Sequence, residues 1–195
     1  MTPDAFLRAA GDGEASSDFD LNPGQMPVRT HGLRQAAVLV ALIEAGPVPT
    51  IVLTRRSAAL KHHPGQIAFP GGKIDPGDDG PEAAALREAE EEIGLRRENV
   101  EVLGRVPPHE TVTGFAVTPI LARIRRPFRG HPEAGEVDEV FVVPLAHVAD
   151  PANYLVEGRV WRGSVRRYYV VPWGPYYIWG ATARILRGLA DRMTS

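Results

Sequence analysis

The sequence predicts a mixed α/β (α+β) fold, in which a mixed β-sheet carries helices on both sides. Three observations carry this expectation. The uninterrupted apolar run 36–43, AAVLVALI, has the length of a buried strand. The predicted elements run as strands, one helix, more strands and a terminal helix, which is not the regular βα alternation of an all-parallel sheet. The chain has 195 residues, 44% of them hydrophobic, enough for one domain with a sizeable core.

Taken in order, residues 2–10 suggest a short helix with Phe6, Leu7 and Ala10 on one side. Residues 11–30, rich in Gly, Asp, Ser and Pro, read as a loop or arm. The domain proper is expected over 34–195, with 1–33 as the N-terminal helix and arm. The turn Gly46-Pro47-Val48-Pro49 separates strand 36–43 from strand 51–54, so the two are expected to pair as a hairpin. Strands are predicted over 100–106, 115–124 and 137–143, a short turn or helix over 144–149, and a hairpin from 154–156 and 165–171. A helix over 179–193 closes the chain, with Ile185, Leu186 and Leu189 on one face. The aromatics of the preceding YYVVPWGPYYIW are expected in the core or a subunit contact rather than as a base-stacking platform.

The chemistry concentrates in 70–95, PGGKIDPGDDGPEAAALREAEEEIGL. A Gly/Pro/Asp-rich loop leads into strong helix formers over 82–93. On a helix, Glu88, Glu91 and Glu92 fall within roughly 100° of one another, Glu90 points away, and Leu86, Ala89 and Ile93 form a separate apolar face. Like charges at i, i+3 and i+4 repel. An all-carboxylate cluster suits a hard cation such as Mg²⁺ or Mn²⁺. A merely solvated acidic face would need no Gly-Gly turn and Asp-rich loop before it, nor Gly94 closing the helix.

These residues resemble the Nudix box: Gly, five residues, Glu, seven residues, then Arg-Glu-U-x-Glu-Glu-x-Gly-U, where U is aliphatic or bulky. The second half fits as Arg87 through Leu95, with Ala89 at the first U. The first half departs: the Glu position falls on Asp79 and the Gly position on Lys73, so Gly72 comes one residue early. Upstream, Val52-Leu53-Thr54-Arg55-Arg56-Ser57, then Lys61, Gly65 and Phe69-Pro70-Gly71-Gly72, resembles the signature of the coenzyme A diphosphatase branch. That signature reads Leu-Leu-Thr-x-Arg-Ser, three residues, Arg, three residues, Gly, three residues, Phe-Pro-Gly-Gly. Val52 replaces a Leu, and Lys61 an Arg, which keeps the charge but loses the bidentate fork.

The resemblance implies a Nudix-type α/β/α sandwich with a loop-helix-loop motif over roughly 34–190. It implies a Mg²⁺- or Mn²⁺-dependent diphosphatase that splits coenzyme A and its thioesters into 3′,5′-ADP and 4′-phosphopantetheine or its acylated form. Glu88, Glu91 and Glu92 are the implied metal ligands, with a backbone carbonyl of Gly71 or Gly72 completing the shell. Glu91, Glu88 and Arg87 carry catalysis, Arg87 by orienting a box glutamate. Arg55, Arg56, Lys61, Gly71 and Gly72 are the expected substrate contacts. Glu133 and Glu136 lie on a loop suited to a general base but read more simply as surface acids, and Glu139 either faces the site or pairs with a basic residue. The same chemistry on another nucleoside diphosphate derivative such as ADP-ribose, or a non-catalytic Nudix-fold binding protein, are the alternatives; the intact glutamates argue against the last.

Composition excludes other classes. A net charge of −2 gives no basic field for nucleic acid. The absence of cysteine removes disulfides and thiol catalysis. Without an 18-residue apolar window or a signal-peptide core, a cytoplasmic monomer or homodimer acting on a small molecule is expected, with no membrane association. Gly71-Gly72 is not a Walker loop, since no Gly-Lys-Ser/Thr follows. The histidines show no metal spacing, His62 and His63 are expected to be exposed, His109 carries no signal, and no Ser/His/Asp set is arguable.

Overall fold

The structure, a computed structural model, describes residues 3–26, 31–161 and 163–194. The first residue of the predicted N-terminal helix and the end of the predicted arm, 27–30, lie outside them. In chain order the elements are α1 (Pro3–Arg8), β1 (Ser16–Ser17), β2 (Arg34–Ile43), β3 (Thr50–Arg56), β4 (Ile67–Ala68), β5 (Gly71–Lys73), α2 (Gly80–Ile93) and β6 (Val100–Arg105). They continue as β7 (His109–Glu110), β8 (Phe115–Ile124), β9 (Val137–Pro144), α3 (Leu145–Val148), β10 (Leu155–Trp161), β11 (Ser164–Val170) and α4 (Ala181–Thr194).

Strands β1 to β9 make one mixed sheet in the order β1-β7-β8-β2-β3-β4, with β5 added to β2, β6 to β8 and β9 to β3. Its centre is the parallel pair β2–β8, in register from Arg34 opposite Phe115 to Ile43 opposite Ile124. The apolar run of β2 is buried because both faces are covered, as side chains alternate between them. Ala37, Leu39 and Ala41 join Val52 and Ile120 beneath Ala84, Ala85, Leu86, Ala89 and Ile93 of α2. Val40 and Leu42 join Leu53, Phe141 and Val143 beneath Phe6 of α1 and Ile185, Leu186 and Leu189 of α4. The result is the expected helix–sheet–helix layering. None of the described helices is long and apolar enough to cross a membrane.

The predicted β2–β3 hairpin forms, but over a short register. The two strands pair only at Leu42–Ile51 and Ile43–Thr50. Beyond that, β5 takes the edge of β2 from Ala36 to Val38, and Leu39 donates its N–H to Pro70 O at 2.8 Å. Along its other edge β3 pairs with β9 from Thr50 opposite Pro144 to Arg56 opposite Val137. This wedge brings the Gly71–Gly72 backbone into the sheet beside α2.

The arm after α1 is fastened to β7 by a polar cluster. His109 is fully buried, its Nδ1 2.9 Å from Ser16 Oγ and its Nε2 3.3 Å from Asp18 Oδ1. Asp18 Oδ2 accepts the Val112 N–H at 2.8 Å and lies 3.4 Å from Arg166 Nη2. Burial would raise the Asp18 pKa, but the hydrogen bond and charge of His109, the Val112 N–H and Arg166 outweigh it and hold the carboxyl below its ordinary value. A Ser-His-Asp set therefore does exist, against expectation. With His109 at 0% exposure no substrate reaches it, and its work is to hold the arm.

Candidate active site on helix α2

Helix α2 begins with Pro81 in its first turn, where a missing N–H costs nothing, and ends at Gly94 with φ 69°. The Gly94 N–H reaches Glu90 O at 3.0 Å and the Leu95 N–H reaches Ala89 O at 3.2 Å, closing the helix in a left-handed cap that suits glycine. The two carbonyls before the cap are met from a distant loop: His131 N–H donates to Ile93 O and Glu133 N–H to Glu92 O, each at 2.9 Å. The alanines on the buried face let α2 lie close on β2, and this carries Glu92 against the β5 backbone.

Glu92 is 5% exposed, and its Oε2 accepts the Gly71 N–H at 3.1 Å. Its Oε1 lies 3.9 Å from Arg56 Nη1. Burial pushes its pKa up to about 7; the Gly71 N–H and Arg56 oppose the rise, while the charges of Glu88 and Glu136 add to it. Burial also raises the Glu88 pKa, against the pull of Arg87 and with a push from Glu91 and Glu136. A Cβ on residue 72 would meet the Glu88 carboxylate and one on residue 71 the β2 backbone, so the two glycines let β5 pass this close with Glu88 in its present place.

Arg87 is the hub. Its Nε donates to Asp78 Oδ1 at 3.0 Å and its Nη2 to Asp78 Oδ2 at 2.9 Å, a bidentate fork. Its Nη1 donates to Glu88 Oε1 at 3.1 Å and Glu91 Oε2 at 2.9 Å. Its Nη2 also reaches Lys73 O at 3.2 Å. The hydrogen bond to Asp78, with support from Glu88, raises the Arg87 pKa and secures the positive charge. Asp78 is presented by a turn in which its N–H donates to Asp75 O at 3.0 Å and its Oδ2 accepts the Asp75 N–H at 2.8 Å.

The structure thus gathers Arg56, Gly71, Gly72, Arg87, Glu88, Glu91 and Glu92 at one end of the sheet. Lys61 is exposed on the loop after β3. Arg55 points away: its Nη2 pairs with Glu139 Oε2 at 3.3 Å, so Glu139 takes the basic-partner alternative. The acid that meets Arg87 in the Gly/Asp loop is Asp78, where the box spacing pointed to Asp79. Asp79 sits before the first turn of α2 and makes no capping bond with its side chain. Glu136, on the loop suited to a general base but read more simply as a surface acid, adds its charge to the raised pKa values of both Glu88 and Glu92, and its carbonyl accepts the Ser57 N–H at 2.8 Å. His63 holds a left-handed φ of 54°, unusual for a residue with a Cβ.

Among the described residues no three acidic or histidine side chains converge as a ready cation cage. Glu88 and Glu91 lean to Arg87, and Glu92 to the Gly71 N–H. The donor set nevertheless fits a hard divalent ion: all its side-chain donors are carboxylates, two of them with pKa values raised by burial and by neighbouring carboxylates, beside a glycine backbone that leaves room for them.

A glutamate-bearing loop-helix-loop on a mixed sheet, sandwiched between helices, defines the class of fold. Comparison with known proteins gives the family. The NUDIX domain matches residues 33–160. The chain is 42% identical over 190 residues, 97% of its length and 96% of the relative's, to a protein of Pectobacterium atrosepticum described as "Uncharacterized Nudix hydrolase NudL". A protein of Citrobacter koseri with the same description is 41% identical over 174 residues, 89% of this chain and 90% of that one. The fold is similar to that of the MutT protein from Methanosarcina mazei Go1, with a TM-score of 0.54 at 19% identity, over 86% of this chain and 99% of that one. The chain belongs to the Nudix hydrolase family, whose members act on diphosphate-containing substrates and generally use divalent metal ions.

Proposed function

We propose that this protein is a coenzyme A diphosphatase, hydrolysing coenzyme A and its thioesters to 3′,5′-ADP and 4′-phosphopantetheine or its acylated form. One observation carries the reading: the two motifs meet at a single carboxylate. Glu92 of the box accepts the Gly71 N–H and faces Arg56, both residues of the upstream coenzyme A signature. Such a junction gives a phosphate-binding cation and a cation-binding carboxylate a common neighbour.

In this reading Glu88, Glu91 and Glu92 hold Mg²⁺ or Mn²⁺, with a carbonyl of Gly71 or Gly72 beside them. The bound ion supplies charge neutralisation at the diphosphate and a water of lowered pKa. The chain's own residues do the rest. Arg56 binds a phosphate oxygen, and exposed Lys61 adds a second positive charge. Arg87, anchored on Asp78, fixes the directions of Glu88 and Glu91. Glu91, the most exposed of the three, accepts the proton of the attacking water, with Glu88 beside it. Water adds to one phosphorus, the P–O–P bond opens, and each product keeps a phosphate.

Product analysis of coenzyme A incubated with protein and Mg²⁺, run beside ADP-ribose, tests the reading. The expected products are 3′,5′-ADP and 4′-phosphopantetheine. Intact coenzyme A alongside cleaved ADP-ribose would overturn it.

A further inference from the structure

The carboxylates use one side of the β3–β9 end of the sheet, and the other side holds a cavity. Alternation assigns the sides. Val52 and Val140 lie in the apolar layer under α2, whereas Leu53 and Phe141 lie in the layer under α4. The same alternation sends Arg56 toward Glu92 and Arg55 toward Glu139, its partner on β9. There Arg55, Ile67, Glu139, Tyr176, Tyr177 and Trp179 line a cavity of about 470 Å³. In the coenzyme A signature Arg55 stands at the position left open; it is expected as a phosphate contact, and the aromatic wall of this cavity has no part in the signature.

Its walls are flat and its rim is polar. The Tyr176 ring lies on Phe141 with centroids 3.6 Å apart and planes 8° from parallel. The Tyr176 hydroxyl donates to Glu139 Oε1 at 2.7 Å, and Glu139 Oε2 holds Arg55. The ring is therefore fixed through one face and one edge. Tyr177, 44% exposed, is tied through its hydroxyl to Glu157 Oε2 at 2.6 Å, and Trp179 is braced against Tyr168 at 5.3 Å. Rigid aromatic faces favour a flat ring, since stacking costs neither side any rotor freedom. The carboxylate keeps lone pairs beyond its bonds to Tyr176 and Arg55, and these select a ring that carries an amino donor. A flexible amide chain matches neither feature and would lose its own rotor freedom on binding.

We propose that this cavity seats the purine base of the substrate, an adenine-type ring stacked on the aromatic wall with its exocyclic amine donated to Glu139. The inference rests on the reading of the substrate as an adenine-containing diphosphate. Because Arg55 and Arg56 are consecutive, the nucleotide straddles the end of β3: the diphosphate lies on the Arg56 side with the glutamates, the base on the Arg55 side. Tyr176 and Glu139 are then specificity residues, and the aromatics expected in the core or a subunit contact form a base platform.

Calorimetric titration in EDTA separates base binding from hydrolysis. Wild-type protein is expected to bind 3′,5′-ADP, and AMP more tightly than IMP, whose ring carries a carbonyl where adenine has its amine. Tyr176→Leu weakens 3′,5′-ADP by about tenfold or more, and 4′-phosphopantetheine affinity does not change. Glu139→Gln, whose amide donates as well as accepts, narrows the AMP preference. Unchanged 3′,5′-ADP affinity in a folded Tyr176→Leu, or a loss of 4′-phosphopantetheine affinity in its place, overturns the proposal. Should Tyr176→Leu not fold, an undiminished AMP preference in Glu139→Gln overturns it equally. Tyr176-dependent nucleotide binding without coenzyme A cleavage would retire the substrate reading and keep the base site; cleavage with Tyr176-independent binding would do the reverse.

Discussion

Two charged clusters, one on the arm and one on α2, are built from similar parts and end in opposite electrostatic states. At the arm, Asp18 meets His109, Arg166 and a backbone N–H, and its pKa is lowered. On α2, Glu92 meets Arg56 and a backbone N–H, yet its pKa is raised to about 7. The difference lies in the neighbours. Burial pushes both carboxyls up; His109, the Val112 N–H and Arg166 outweigh it at Asp18, whereas the charges of Glu88 and Glu136 add to it at Glu92. The first cluster is balanced and holds the fold. The second carries more carboxylates than cations, an imbalance that the cation of the proposed function would relieve.

Changing each cluster sharpens the contrast. The largest expected effect is Glu92→Gln, which lowers metal-dependent hydrolysis by at least about two orders of magnitude and leaves the circular dichroism spectrum unchanged. In EDTA at pH 8 its melting temperature should equal or exceed that of the wild type, because the substitution removes a buried charge that opposes folding. A marked drop would put Glu92 in the same structural role as Asp18 and break the comparison. Asp18→Ala should do the converse: a loss of about 2–4 kcal/mol of stability in urea titrations, with kcat retained below the shifted transition.

The pH dependences should also oppose. The Asp18 pKa lies below its ordinary 3.8, so its contribution is complete above that value and is lost as pH falls through the folded pKa. The Glu92 pKa rises from 4.5 to about 7, so the ion-free fold binds more protons than the unfolded chain in that window and loses stability as pH rises across it. Urea midpoints in EDTA from pH 4.5 to 8 should fall for the wild type and stay flatter for Glu92→Gln. A smaller effect is expected for Gly72→Ala. The added Cβ meets the Glu88 carboxylate, which can swing aside, so kcat should drop about tenfold while the melting temperature moves by a few degrees. The smallest is Lys61→Ala, an exposed charge, which should raise KM about threefold at low salt with kcat unchanged.

Much of this was legible along the chain because the signals are local. Helix 82–93 and strand 115–124 declare themselves by propensity and run length, and the structure gives Gly80–Ile93 and Phe115–Ile124. The pairing of Arg87 with Glu91 follows from an i, i+4 step. What was not legible is set by distance. The two-residue strands β1 and β7 have no pattern of their own and exist because Asp18 and His109 find each other across the chain. Asp78 replaces Asp79 as the partner of Arg87 because the Asp75–Asp78 turn decides which carboxylate faces the helix, and counting residues cannot show this. Glu136 and the Tyr176–Glu139 contact likewise arise from chain segments that meet only on folding.

The parallel pairing of β2 with β8 has a consequence for how the molecule assembles. Everything between those strands, from the Arg55–Arg56 segment through Gly71 and α2 to β7, is the loop that must close before Arg34 can meet Phe115. Closing so long a segment is slow and entropically uphill until the central pair forms. Arg56, Gly71, Asp78 and the glutamates of α2 all lie inside that segment, so the contacts among them close shorter loops than the β2–β8 pair does.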